Sequence, residues 1–369
     1  MSPNTFVFRV DSSLDIGTGH VMRCLTLAGE LARQGKECTF VCREHQGHLG
    51  DLIEKNGHRL FLLPACIPKK LGANKGSTDN YALWLGVPWQ QDANQTLDIV
   101  ADLEPDWLVV DHYALDSKWE RLLFESARHI MVIDDLADRA HKCSLLLDQN
   151  LGRIESDYDG LLNADCKRLI GPRYALLRPE FESRREDSLR RRESHRLKRI
   201  LVSLGGIDVN NVTGRLLEAL ADSALKTDTV LDIIMGSSAP HLDAVRVQAS
   251  QIRFKASVNV DVNDMAERMY LADVSIGAAG VTSWGRCCSG LPAVIMILAE
   301  NQAKVADALE ESGAAINIGD PENIGTRLPL VLANLSDPVR LKQMSAAAAN
   351  VTDGKGALDV INSMSLMSR

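Results

Sequence analysis

The sequence predicts an α/β protein built of two doubly wound, Rossmann-like domains facing a cleft. Three observations carry this. Short apolar runs alternate with helical patterns along the whole chain, as expected for parallel strands joined by crossover helices. The pattern restarts after a charged stretch near residue 190. Each half opens on strand, glycine pair and helix start: Gly17-Thr18-Gly19 in the first, Gly205-Gly206 in the second.

At 369 residues the chain has room for two domains. The expected division is 1–178, a charged linker at 179–198, and 199–369, with the last helix packing back on the first domain. Thr5–Val10 reads as a buried first strand. The helix after it turns Val21, Cys24, Leu25, Ala28, Leu31 and Ala32 to one face. Strands follow at 37–42 and 58–63, with a helical segment at 49–56 between them. Residues 64–82, with Pro64, Pro68, Gly72 and Gly76, read as a surface loop. Tyr81, Trp84 and Trp89 then precede a helix at 92–102 and suggest a wall on which a sugar or base could stack; the alternative is burial for area.

Strands at 106–111 and 129–134 end in acids, and segments at 145–150 and 167–171 close this half. Ligands of open parallel sheets lie beyond the carboxyl ends of strands. Asp111, His112, Tyr113, Asp134 and Asp135 therefore share a rim with His20. Between the halves, 182–199 mixes arginines with acids and reads as a solvated linker or helix rather than a nucleic-acid arm. The second half runs through strands at 199–204, 229–235, 259–260, 273–276 and 293–297, a helix over Val212–Ala221, and a further glycine turn, Gly277-Ala-Ala-Gly280-Val-Thr282.

Composition excludes several classes. The chain is 45% hydrophobic and 24% charged, an ordinary globular balance. A net charge of -8 argues against nucleic acid as the main partner. No signal-peptide pattern opens the chain and no apolar run reaches membrane-spanning length, so the expected location is cytoplasmic. The eight cysteines follow no metal or disulfide spacing and are expected as free thiols.

The first turn lacks the third glycine of the dinucleotide fingerprint. Walker, Gly-x-Ser-x-Gly and His-Glu-x-x-His motifs are absent. A histidine stands at the helix start instead. The positive end of the helix, with Arg23 one turn on, favours a neutral imidazole at His20, as a general base requires. Asp11 or Asp15 is the expected carboxylate for the other ring nitrogen. The alternative is a structural histidine donating to a loop carbonyl.

The blocks Arg9-Val-Asp11-Ser-Ser-x-x-Ile-Gly17-x-Gly-His20-Val-Met-Arg23-Cys, Tyr81-Ala-Leu-Trp-Leu-Gly-Val and Val110-Asp111-His-Tyr113 occur in that order. Ile133-Asp-Asp-Leu-Ala-Asp-Arg139, Leu146-Leu-Asp-Gln-Asn150, Ser203-Leu-Gly-Gly-x-Asp208, Gly290-Leu-Pro and Asn301-Gln302 follow. Together they resemble the UDP-2,4-diacetamido-2,4,6-trideoxy-β-L-altropyranose hydrolase family of pseudaminic acid biosynthesis, a precursor route to flagellin and surface glycans. That family is similar to glycosyltransferase-B (GT-B) enzymes, among them the transferase that makes lipid II. The resemblance implies a metal-independent hydrolase without cofactor, acting on a UDP-linked diacetamido sugar; separately, a monomer is the favoured state. It implies His20 as base, with Gly17, Thr18, Gly19, Tyr81, Asp111 and Asn301 near the sugar. It implies Gly205, Gly206, Gly280, Thr282 and Gln302 near UDP. One departure stands out: the family usually has glutamate where this chain has Gly285, and in related enzymes that acid binds the ribose. Alternatives are a UDP-sugar glycosyltransferase or 2-epimerase on the same scaffold, or a catalytically impaired nucleotide-sugar binding protein.

Overall fold

The computed structural model describes residues 4–65, 79–194 and 196–367. The chain forms two compact units, each with its own parallel sheet. The first unit contains the chain up to Leu176 and again from Ala357 onward; the second runs from Leu177 to Gly356.

The first unit has seven strands: β1 (Thr5–Val10), β2 (Glu37–Arg43), β3 (Arg59–Leu63), β4 (Trp107–Asp111), β5 (His129–Ile133), β6 (Leu145–Asp148) and β7 (Lys167–Ile170). Their order is β3-β2-β1-β4-β5-β6-β7, all parallel. The crossovers carry α1 (Gly19–Arg33), α2 (Gly50–Lys55), α3 (Asp79–Ala82), α4 (Trp89–Leu103) and α5 (Ser117–Leu123). Alternation along β1 sends Phe6, Phe8 and Val10 into one core and Val7 into the other, so both faces of the sheet are covered. The chain winds outward from β1 in one direction and from β4 in the other. The switch point lies where Val10 pairs with Asp111. Connections after β1 and β4 diverge there, the place where open parallel sheets take their ligands.

The second unit repeats the plan with β8 (Arg199–Ser203), β9 (Val230–Met235), β10 (Lys255–Val260), β11 (Val274–Ala278), β12 (Ala293–Met296) and β13 (Ala315–Asn317). Their order is β10-β9-β8-β11-β12-β13, and the switch point falls between β8 and β11, where Ser203 pairs with Gly277. Its helices are α6 (Pro179–Arg191), α7 (Val212–Ala221), α8 (Leu242–Gln251), α9 (Met265–Leu271), α10 (Thr282–Cys288), α11 (Ala303–Glu311), α12 (Ile324–Asn334) and α13 (Pro338–Ala349). The last helix, α14 (Gly356–Met367), returns to the first unit, where Ala357, Val360, Ile361 and Met364 share a core with Phe8, Leu27 and Trp107.

The charged stretch 179–198 is not a solvated linker. It forms α6 and a following turn inside the second unit, with Phe181, Ser188 and Arg192 buried. The arginines that made it look solvated are used as donors: Arg185 bonds the carbonyls of Cys288, Ala349 and Thr352. Such bonds satisfy carbonyls that helix ends leave open. Strand β13, only three residues long, is too short to show a pattern. Strand β10 starts at Lys255, earlier than expected, because polar residues alternate along this edge. Residues 66–78, which hold most of the expected surface loop and Cys66, lie outside the described residues. The described cysteines are free thiols. Among the described residues no helix is long and apolar enough to cross a membrane.

Candidate functional site

In the first unit, the turn from β1 into α1 is held by its own side chains. Ser13 Oγ accepts from the amides of Asp15 and Ile16, and the Gly17 amide bonds the Ser13 carbonyl at 2.9 Å. Gly17 has φ +81°, a left-handed conformation that glycine adopts without strain. Thr18 is exposed, and its carbonyl receives the Met22 amide, which starts α1. Gly19 opens the helix and His20 follows, nearly buried at the switch point.

His20 Nδ1 lies 2.6 Å from Asp111 Oδ1. The partner of the ring is therefore the acid ending β4, not Asp11 or Asp15. Asp111 is fully buried and is gripped bidentately by Arg23, whose Nε and Nη2 each donate at 2.6 Å. Burial alone would raise its pKa. The Arg23 guanidinium, then His20, override this and hold Asp111 well below the usual carboxylate range. With an ionised carboxylate on Nδ1, the hydrogen-bond network assigns a proton to that nitrogen, so that in the neutral ring the lone pair lies on Nε2.

Arg23 extends the network. Its Nη1 donates to Asp135 Oδ2 at 2.7 Å, and Tyr113 Oη donates to the same oxygen at 2.6 Å. Asn150 Nδ2 reaches Asp135 Oδ1 at 3.1 Å. Burial, then the Asp135 charge, push the Tyr113 phenol well above its ordinary value, so it stays a donor. Tyr113 also meets the His20 ring edge-on at 4.6 Å and stacks on Trp84 at 5.6 Å. Tyr81 packs edge-on against both, 4.8 Å from Trp84 and 5.1 Å from Tyr113. Of the aromatics expected as a wall, Tyr81 and Trp84 gather at Tyr113 beside His20 and remain partly exposed, whereas Trp89 packs against a core of the first unit.

Asp11 belongs to a separate buried network. Arg9 bonds both Asp11 and Asp92, Arg43 Nη2 donates to Asp92 at 2.6 Å, and Trp119 Nε1 donates to Asp92 at 3.0 Å. His112 Nε2 stands 3.3 Å from Asp11. Asp15 is exposed in the turn. The sequence reading missed Arg9, Arg43 and Asp92. The one signal for them is an arginine inside an otherwise apolar strand, since a buried guanidinium needs acids nearby.

At the end of β6, Asp148 shares the Tyr158 phenol with Asp134, each at 2.9 Å. Arg153 Nε also donates to Asp148 Oδ2 at 2.7 Å, and Arg139 lies 2.8 Å from Asp134 Oδ1. Burial, then the Asp135 charge, push Asp148 up to about 7, while Asp134 is brought down to about 2 by Arg139 and His141 against the effect of burial. The two act oppositely on stability. Asp134 contributes above its ordinary 3.8, and this is lost as pH falls toward 2. Asp148 favours its neutral form in the fold, so its contribution is full below 3.8 and is lost as pH rises to about 7. Asp148→Asn is expected to flatten the decline in Tm between about pH 4 and 7 that this group causes. Thermal melts across that window check it, and an unchanged slope would place the titrating charge elsewhere.

In the second unit, Gly205 has φ +104° and the Gly206 carbonyl accepts the Gly236 amide at 2.9 Å. A Cβ on Gly236 would fall 2.2 Å from that carbonyl, so the two backbones touch. The start of α7 is already filled: Asp208 accepts from Val212 and Thr213, and Asn211 from Gly214. The glycine loop rather than that helix start is what remains to meet a ligand. Gly280, Thr282 and Gln302 come together at the end of β11, with Gln302 Nε2 3.6 Å from where a Gly280 Cβ would stand. Asn301 and Glu300 are exposed beside them in the same short turn.

Gly285 is not an acid site that has lost its side chain to solvent. It is buried, and a Cβ there would lie 2.8 Å from Phe181 Cε1 and 3.3 Å from Met269 Sδ. A glutamate at this position would have to displace the Phe181 ring before reaching any ligand. Among the described residues no group of three or more His, Cys, Asp or Glu is arranged to hold a metal ion.

Two parallel sheets, each with its glycine turn at the switch point, define the GT-B fold. The structure superposes on Acinetobacter baumannii MurG with a TM-score of 0.66, covering 98% of this chain and 99% of that one at 16% identity. A glycosyltransferase of kitacinnamycin gives 0.63 at 16% identity, covering 99% and 100%. At that identity these likenesses speak for the fold. No family profile matches the chain. The resemblance read from the sequence stands in the curated relatives. The chain is 27% identical over 237 residues to the UDP-2,4-diacetamido-2,4,6-trideoxy-β-L-altropyranose hydrolase of Campylobacter jejuni, covering 64% of this chain and 71% of that protein. It is 29% identical over 195 residues to the spore coat polysaccharide biosynthesis protein SpsG of Bacillus subtilis, covering 52% and 56%. It is 23% identical over 302 residues to the Methanocaldococcus jannaschii protein MJ1062, covering 80% and 56%. The chain thus spans little more than half the length of the last two relatives.

Proposed function

We propose that this protein hydrolyses UDP-2,4-diacetamido-2,4,6-trideoxy-β-L-altropyranose at C1, giving UDP and the free sugar for pseudaminic acid synthesis. The observation that carries the reading is the His20–Asp111 pair at 2.6 Å, clamped by Arg23. Similarity to the Campylobacter hydrolase supports the substrate.

His20 Nε2 takes a proton from water as the oxygen attacks the anomeric carbon. The bond from C1 to the phosphate oxygen breaks, and UDP leaves with the electron pair. Single displacement inverts the configuration. Asp111 holds the ring and stabilises the imidazolium that forms, as in other oriented His–Asp pairs. Tyr81 contacts the sugar, with the Gly17-Thr18-Gly19 turn beside it. The Gly205-Gly206 loop and the Gly280, Thr282 and Gln302 group meet the charge that grows on UDP with fixed donors.

The test is UDP release from the UDP-sugar with no acceptor present. Turnover is expected, and it is expected to survive EDTA. Release only on adding a second sugar or lipid would make the protein a transferase. UDP binding without turnover would make it a binding protein.

A further inference from the structure

Beneath the Gly280–Thr282 turn lies a buried cation without an acid. Arg286 is 1% exposed, and among the described residues no carboxylate pairs with it. Arg9, Arg23 and Arg43 in the first unit are also buried, and each holds at least one aspartate. Arg286 donates instead to the Ala278 carbonyl at 2.9 Å and to Thr282 Oγ1 at 3.0 Å, and its Nε has no partner among the described residues. Burial accordingly pushes its guanidinium down to about 10. The group is wedged at the end of β11: a Cβ on Gly277 would fall 2.4 Å from Arg286 Nη2. Leaving a guanidinium buried and unneutralised is costly, so a fold that keeps one there has a use for its charge.

The contact also fixes what the turn can offer. Thr282 is exposed, and its oxygen receives the Arg286 N–H, so the hydroxyl hydrogen is left to donate outward. Gln302 is set in the same sense. Its Oε1 accepts the Leu298 amide at 3.0 Å, so its NH2 group is what faces Gly280. Adjacent Ser283 Oγ is buried and has no partner among the described residues. The patch therefore presents donors, with a positive charge underneath.

We propose that Arg286 is a positioning residue for a diphosphate: it turns the Thr282 hydroxyl outward as a donor and supplies the charge that draws the anion to this turn. The inference rests on the UDP reading above and assigns a role to a residue that never touches the nucleotide.

The test is calorimetric binding of inorganic pyrophosphate, UDP and uridine to the wild-type chain and to R286M, R286K and T282V. R286M is expected to weaken pyrophosphate and UDP by on the order of ten- to a hundredfold, the worth of the Thr282 hydroxyl as an oriented donor to a charged group together with the charge beneath it. Uridine should bind unchanged, and R286K should recover part of the loss. A merely structural arginine would move uridine and the phosphates together. Unchanged pyrophosphate and UDP affinity in folded R286M overturns the proposal and leaves the UDP reading standing. Pyrophosphate binding that needs Arg286, in a protein that ignores UDP, supports the proposal and overturns the UDP reading. Binding of neither by wild type overturns both. If R286M fails to fold, T282V decides on its exposed site: severalfold weaker pyrophosphate supports the proposal, and an unchanged constant overturns it.

Discussion

His20→Ala is expected to lower UDP release by on the order of 10²–10⁴-fold, the usual worth of a positioned general base. The loss should fall on kcat, because the imidazole acts on water and adds little to binding of the UDP-sugar. The fold should tolerate the change. His20 sits at the start of α1, and the Asp111–Arg23 bonds that hold β4 to α1 do not pass through it. Asp111→Asn should also slow the reaction, since an amide can no longer stabilise the imidazolium that forms. A fall of less than about tenfold in His20→Ala, measured with Tm intact, would remove His20 from the role of base.

Asp92→Ala is expected to be the most damaging single change to stability. Asp92 receives Arg9, Arg43 and the Trp119 indole, all buried. Removing the carboxylate leaves Arg9 with Asp11 as its remaining acid, and leaves the Arg43 guanidinium with only the Pro64 carbonyl and Gln95 Oε1. Breaking a buried pair this way costs about 3–5 kcal/mol, because the stranded charge stays desolvated. At about 2–4 °C per kcal/mol for a domain of this size, Tm should fall by roughly 10 °C. Asp92→Asn keeps the shape and two hydrogen-bonding atoms and should lose less. An Asp92→Ala protein melting within about 2 °C of wild type would show that water or a shifted side chain compensates the arginines.

The two α/β units were legible because both signals involved are local. Apolar strands buried on both faces read as continuous runs, and glycine pairs mark the turn into each helix. The strand-end acids were legible for the same reason, and the structure gathers Asp111, Tyr113 and Asp135 around Arg23 beside His20. What sequence could not supply was the pairing. Asp11 is nine residues from His20 and Asp111 is ninety-one, yet only parallel pairing of β1 with β4 decides which carboxylate meets the ring. Asp92 lies on a helix with no mark of its own, and its partners come from two different strands and a second helix. Gly285 read as a missing acid because spacing shows that a side chain is absent but not what fills its place. Here it is Phe181, from a stretch that looked too charged to pack.

Helix α14 places a demand on synthesis. The first unit takes its sheet from the first 176 residues, yet Val360, Ile361 and Met364 complete one of its two cores. A ribosome has translated all of the second unit before those three side chains exist. That core of the N-terminal sheet is therefore completed only after the whole of the second unit has been made. A fragment ending at Leu176 would leave that core incomplete permanently, which makes the first unit a poor candidate for expression alone.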